Sequence, residues 1–347
     1  MDWTISFAML IFLTSTTGSA MFVIWYVIGK ILEKTGFIHV MYELFKTVLA
    51  FWFFPLAFLV LAVENKLQWD GILFRYTPAI KRNCTVFLLI WLTGMICFLL
   101  DYIRKNQILN RHCHELIPVD GREWDMFVEI CEDMHIRPGK LDLVVDYKAK
   151  TPYLCGLRSQ YVVLPVREYT RRQLRVIYVH ELTHYKQNSQ LWRHMTAIGK
   201  ALYFFNPFIF LLQRQLEFWG EYICDYEAIP RVESMKVYFG EIMNTITGQI
   251  NDQELLHTQL LRSKPQLLRR IEMMNKTYQI DQHRYRMLPA IVIGIMMVIS
   301  TIFIHVQTHW TGEQYVNYYF QTAETEEESG AAEEELPDKS WIVHENP

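Results

Sequence analysis

Apolar residues in this chain gather into four blocks, and polar residues fill the stretches between them. The blocks run from Ile5 to Ile28, Thr47 to Val63, Cys84 to Leu100 and Met287 to Val306. Each is 17 to 24 residues long, enough to cross a bilayer as a helix. The first carries no charge and only Asp2 is charged ahead of it, so the basic start of a signal peptide is missing. Pro55 falls in the second block, which a membrane helix tolerates. Four such blocks in one chain are improbable as buried core helices, and the pattern predicts four spans.

Between the third and fourth blocks the pattern is that of a water-soluble domain. Trp124, Phe127, Val128, Cys131 and Met134 recur at helical spacing and predict an amphipathic helix ending before Pro138. Leu141 to Val145 and Gln160 to Leu164 are short and β-branched, so they read as strands around a turn containing Gly156. Thr170 followed by Gln173 fits a capping box that opens the next helix. A further helix follows the turn at Asn206-Pro207, runs through Gln213 to Ile229 and stops at Pro230. The apolar run Ala201 to Leu212 is too short to span, and reads as core rather than as a segment dipping into the membrane face. After the fourth block, the acidic run Glu324 to Glu335 reads as a solvated, disordered tail.

Composition and charge add orientation and exclude some functions. Hydrophobic residues make up 51% of the chain and charged residues only 20%, which excludes a disordered chain and favours one partly in lipid. A net charge of -3 gives no case for binding nucleic acid. The soluble stretch holds 26 of the 34 Lys and Arg residues, while the tail has only Lys339. By the positive-inside rule the middle domain is cytoplasmic and both termini lie outside. Lys66, Arg75, Lys81 and Arg82, in the loop between the second and third blocks, argue the other way and are outweighed. Six cysteines without paired spacing predict no disulfide in a reducing compartment. His112-Cys113-His114 is a poor metal cluster, because adjacent residues rarely converge on one ion.

The capped helix carries the chemistry. It reads Val179-His180-Glu181-Leu182-Thr183-His184. Histidines four apart lie about 40° around the helix from one another, so both imidazoles can reach one ion. Glu181 is then placed to take a proton from a metal-bound water. A catalytic zinc wants a third protein ligand and an open position. The next helix offers Glu217, Glu221, Asp225 and Glu227. Glu221 and Asp225 share a face and suit a carboxylate ligand with an acid hydrogen-bonding a ligand histidine. Glu217 lies on the same face as a competitor, and Glu227 lies off it.

These residues resemble the BlaR/MecR-type integral-membrane metallopeptidases, the antirepressor proteases of bacterial antibiotic sensing. The likeness covers the spans and the domain from about Arg104 to Met287. It rests on Thr151-Pro152-Tyr153-Leu154-Cys155-Gly156-Leu157, Tyr161-Val162-Val163-Leu164-Pro165, His180 to Tyr185, Phe205-Asn206-Pro207 and Glu221-Tyr222-Ile223-Cys224-Asp225. The resemblance implies a zinc site of His180, His184 and Glu221, with Glu181 as general base and Asp225 as the supporting acid. It thereby selects Glu221 over Glu217. The implied fold is a mainly α membrane protein of four transmembrane helices, with an α+β zincin-like (gluzincin) domain inserted between the third and fourth. Its parts are three helices in 1–101, the cytoplasmic metallopeptidase in 102–286, the last span in 287–306 and the tail in 307–347. Two departures stand out. No Ser-x-x-Lys motif or penicillin-binding domain follows the last span, so direct β-lactam acylation is not expected. Lys186-Gln187-Asn188-Ser189 stands where relatives often carry an acid.

The implied activity is a zinc metalloendopeptidase of the bacterial cell membrane, acting in signal transduction on a cytoplasmic protein. That protein is a winged-helix repressor or the chain itself, and no nucleic acid is a direct partner. An oligomer is compatible. The strand Tyr161 to Leu164 is expected to hold an extended substrate by edge pairing, and Tyr185 is one candidate for stabilising the oxyanion. Self-cleavage would fall at Gln249 to Gln253, or at Arg269-Arg270 if that helical stretch unwound. Two other readings stay open: a housekeeping protease of the CAAX-processing or quality-control kind, and a non-catalytic receptor that keeps the fold. The intact His180, Glu181, His184 and Glu221 count against the receptor.

Overall fold

A computed structural model describes residues 3–35, 41–54, 78–156, 159–247 and 266–277, with a few single positions between 294 and 306. Among the described residues three helices come first: α1 (Trp3–Thr35), α2 (Met41–Phe53) and α3 (Pro78–His114). Among the described residues two helices are long and apolar enough to cross a membrane, Phe7–Glu33 and Arg82–His114. They differ in surroundings: half of the first is buried inside the protein, but only 6% of the second. The second apolar block starts as α2 and continues outside the described residues. The fourth block and the segment Gln249 to Gln253 lie largely or wholly outside them.

The remaining part is α+β. Strands β1 (Ile117–Pro118), β2 (Leu141–Asp146), β3 (Tyr153–Cys155) and β4 (Gln160–Pro165) form one sheet in the order β1-β2-β4-β3. Between β1 and β2 lies α4 (Arg122–Asp133), the predicted amphipathic helix, whose buried face is Met126, Phe127, Ile130 and Cys131. After the sheet come α5 (Arg171–Lys186), α6 (Ser189–Leu202), α7 (Pro207–Ala228) and α8 (Met235–Thr247), followed by α9, the helix at 266–277.

Local chemistry sets these boundaries. Thr170 accepts from the Gln173 backbone while Gln173 reaches back to the Thr170 N–H, the complete capping box that starts α5. Asn206 caps α7 by accepting from the Phe208 N–H at 2.9 Å. The Asn206 amide also donates to Ser15 and Ser19 of α1, each at 2.8 Å, which fixes α1 against the start of α7. Gly156 turns between β3 and β4 at a φ of 88°, a conformation open to glycine.

Two expectations change. The strands at 141–146 and 160–165 are parallel neighbours, with Leu143 paired to Val162. Chain 153–155 forms β3 and pairs on the far side of β4. Tyr161 to Leu164 is therefore the middle of the sheet and has no free edge for a substrate. Among the described residues β1 and β3 are the edges instead. The run Ala201 to Leu212 is also not closed core: Ile209 and Leu212 are buried, but Phe205 and Leu211 point outward. Its tip lies along the apolar part of α3, where the Trp91 indole donates to the Leu202 carbonyl at 2.7 Å. The rings of Phe98 and Phe204 stack there at 5.5 Å.

The cysteine and two histidines at the end of α3 part company, as adjacent residues do. His112 pairs with Asp146 at 2.8 Å, the Cys113 and Cys155 sulfurs lie 2.8 Å apart, and the Tyr161 hydroxyl meets His114 at 2.8 Å.

Candidate metal centre

Helices α5 and α7 pack side by side and bring three side chains to one point. His180, His184 and Glu221 each offer one ligand atom, and these atoms lie within 4.8 Å of one another. The two Nε2 atoms are 3.2 Å apart. Glu221 Oε1 is 3.4 Å from His184 Nε2, and Oε2 is 3.6 Å from His180 Nε2. Two imidazole nitrogens and one carboxylate oxygen are a donor set that suits zinc in a site with one position left open. Glu217 is exposed and accepts from its neighbour Gln213 at 2.8 Å, away from this cluster. Glu181 is buried, and its charge is felt at His180, at Cys224 and at Cys155 on the edge strand β3.

The far nitrogen of each imidazole is also occupied. His180 Nδ1 lies 2.7 Å from the Tyr238 hydroxyl, which itself donates to Asp225 Oδ1 at 2.8 Å. Tyr238 is thus committed as a donor to Asp225 and must accept from His180. That keeps the proton on Nδ1 and leaves the Nε2 lone pair facing the cluster. Asp225 stands 3.7 Å from Nδ1, so the acid expected to bond a ligand histidine directly does so through a tyrosine. His184 Nδ1 meets the Ser189 hydroxyl at 3.2 Å and the Cys224 sulfur at 3.1 Å. Ser189 ends the segment where an acid was missing.

Asp225 is fully buried and takes two further hydrogen bonds from Arg270, at 2.6 and 2.5 Å. Arg270 also lies 3.2 Å from Glu221 Oε2. Burial alone would raise the Glu221 pKa, but His184, His180 and Arg270 hold it well below the usual carboxylate range, so it stays ionised as a ligand must. Burial opposes charge on His180, yet the carboxylates of Glu221, Glu181 and Asp225 raise its pKa above the ordinary value. Burial and the Asp225 charge push the Tyr238 phenol well up, which keeps it protonated.

The sequence does not single out Tyr238, and it marks Arg270 only as part of a candidate cut site at Arg269-Arg270. The structure buries Arg270 against the metal centre instead. Tyr185, a candidate for the oxyanion, packs against the core.

A family model for the BlaR1 peptidase M56 matches residues 76–274, more than half of the chain. The chain is 22% identical over 171 residues to the regulatory protein BlaR1 of Bacillus licheniformis, covering 48% of this chain and 28% of that protein. It is 21% identical over 158 residues to the methicillin resistance mecR1 protein of Staphylococcus aureus, covering 42% of this chain and 25% of that protein. The chain thus spans roughly a quarter of the length of these curated relatives. The family model runs from the start of α3 into α9 and encloses the whole histidine–glutamate cluster, and a metallopeptidase family implies a metal. This chain belongs to the BlaR1 peptidase M56 family.

Proposed function

We propose that the chain is a membrane-embedded zinc metalloendopeptidase that cuts a protein in signal transduction. His180, His184 and Glu221 would hold the zinc, Glu181 is the general base, and Asp225 supports His180 through Tyr238. The observation that carries this reading is the convergence of two Nε2 atoms and a carboxylate within 4.8 Å, with a buried glutamate beside the first histidine. Zinc, when bound, polarises the scissile carbonyl and lowers the pKa of the attacking water. Glu181 accepts that water's proton at its carboxylate and hands it to the leaving amine. Among the described residues β3 lies at the sheet's edge and can take an extended peptide as an added strand, in competition with Gln190, which donates to the Leu154 carbonyl. β3 packs against α5, the helix that carries Glu181, so a peptide paired there would run beside the base.

The almost uncovered apolar surface of α3, with Leu89, Ile90 and Leu100 each at least 60% exposed, supports a lipid environment. The Glu33 end of α1 meets Arg269 and the His114 end of α3 meets Tyr161, while the tip at 202–206 runs back along both helices. That agrees with three spans in 1–101 leading into a cytoplasmic domain at 102–286, with a fourth span and an outside tail beyond. The names of the relatives, a regulatory protein and a resistance protein, support a signalling substrate: a transcriptional repressor, or the chain itself. Comparing the proteomes of cells with wild type and with Glu181→Gln tests the reading. The variant should keep its metal and lose cleavage, since Glu181 is a base and not a ligand. Identical fragments from both would place the base elsewhere.

A further inference from the structure

Two neighbouring arginines on α9 point to different parts of the protein. Arg270, with a side chain only 12% exposed, reaches the metal centre: it holds both oxygens of Asp225 and stands 3.2 Å from Glu221 Oε2. Arg269 reaches α1. It donates to Glu33 Oε1 at 2.8 Å, and its guanidinium lies 4.4 Å over the ring of Phe218 on α7. Glu33 is the last residue of the apolar stretch Phe7–Glu33. The helix between these contacts is firmly seated, with Leu267, Met273 and Met274 buried and the Thr277 hydroxyl bonded to Tyr222 at 2.6 Å.

We propose that Arg270 is a positioning residue for the metal centre, and that Arg269 couples it to the end of the first apolar helix. The proposal rests on the metallopeptidase reading above. A guanidinium is a rigid planar fork, so one that grips two carboxylates fixes their relative orientation. Holding Glu221 at Oε2 leaves Oε1 turned to His184. Holding Asp225 fixes the acceptor of Tyr238, and Tyr238 in turn orients His180. One side chain therefore sets two of the three ligand groups. Adjacent residues of one helix share its backbone. A displacement of Glu33 that shifts α9 through Arg269 moves the anchor of Arg270 relative to the two carboxylates. The path runs from Glu33 to Arg269, along the α9 backbone to Arg270, and on through Asp225 and Tyr238 to His180, a chain of physical contacts of the kind that coupling between two sites needs.

Cobalt(II) binding to the full chain in detergent tests this, read by competition with a chelator and by the visible absorption of the bound ion. Arg270→Gln should weaken binding about tenfold, the low end of the range for groups that orient ligands, because losing a positive charge beside a cation offsets part of the damage. Its spectrum should also change, since Glu221 is no longer held in one orientation. Arg270→Lys keeps the charge without the fork and should restore only part of the affinity. Glu33→Gln and Arg269→Gln touch no ligand, yet each should weaken cobalt about threefold, within the effects seen along coupling networks. Combined, they should do no more than the larger of the two. Wild-type affinity and spectrum in Arg270→Gln would overturn the positioning role. Should Arg270→Gln fail to fold, the Glu33 and Arg269 variants decide, and wild-type binding in both would remove the coupling. Failure of the wild type itself to bind cobalt, with His180→Ala no different, would bring down the metallopeptidase reading and this proposal with it.

Discussion

His180 and His184 stand one turn apart on α5, yet the groups behind them have little in common. Behind His180 lies a charged set drawn from three helices: Tyr238 of α8, Asp225 of α7 and Arg270 of α9. Behind His184 lie two neutral groups, the Ser189 hydroxyl five residues on and the Cys224 thiol. The first side is assembled from distant chain and is buried, so each member depends on the others being in place. The second combines a local group, Ser189, with Cys224 from α7, and so has two alternatives for one proton. The difference predicts that changes anywhere in the molecule enter the metal centre through His180, while the His184 side tolerates substitution.

The largest effect that would break this contrast is at Tyr238. Tyr238→Phe removes the acceptor for the His180 Nδ1 proton and one donor to a fully buried carboxylate. Metal affinity should fall by about 10–100-fold, the usual cost of losing the group that orients a ligand histidine. Titration against chelators of graded strength measures it. An unchanged affinity would mean that packing alone orients His180, and the two sides would then be equivalent.

The parts of this centre that were legible in the sequence are those set by short-range spacing. His180, Glu181 and His184 fall at helical intervals, the capping box at Thr170 marks where that helix starts, and Glu221 and Asp225 share a face by the same rule. The choice of Glu221 over Glu217 was not local, since both lie on that face; it came from the family resemblance. Tyr238 and Arg270 approach from 58 residues beyond His180 and 45 beyond Asp225, and no periodicity reports such a distance. Strand pairing was opaque for a related reason: alternation identifies a strand but not its neighbours. A usable signal was present at β4, where Tyr161-Val162-Val163-Leu164 is apolar without interruption. Such a run fits a strand covered on both faces and argues against the free edge expected there.

Lowering the pH sharpens the comparison. The carboxylates of Glu221, Glu181 and Asp225 overcome the effect of burial and raise the His180 pKa. A proton on His180 competes with the metal, so binding is full above that pKa and weakens as pH falls through it. Metal loss on acidification should thus begin at a higher pH than an ordinary histidine would give. Asp225→Asn removes one of those negative charges and should move the His180 titration midpoint of the metal-free protein to lower pH, while Ser189→Ala should leave that midpoint in place. Histidine NMR titration of the three metal-free proteins reads this directly. A midpoint that moves with Ser189 and not with Asp225 would invert the assignment.

The smallest effects are expected behind His184. Ser189→Ala leaves the Cys224 sulfur 3.1 Å from Nδ1 as a substitute acceptor. Burial and the nearby Glu221, Asp225, Glu227 and Glu181 charges push the Cys224 thiol well above its ordinary pKa, so it remains a neutral S–H and does not compete for the metal. Sulfur is a weak acceptor, and the loss should be about threefold, below the usual cost of such partners. Ser189→Asp makes the argument sharper. It supplies the acid that this segment lacks, and a carboxylate accepting from Nδ1–H makes the other nitrogen a better donor to a metal. Ser189 is only partly buried, so the new charge keeps some of its hydration and the gain is not cancelled by desolvation. Metal should bind about threefold tighter in Ser189→Asp than in wild type, by the same orienting effect taken in reverse. Weaker binding in Ser189→Asp than in Ser189→Ala would show that the His184 side needs neutrality, and that its lack of an acid is a requirement of this centre.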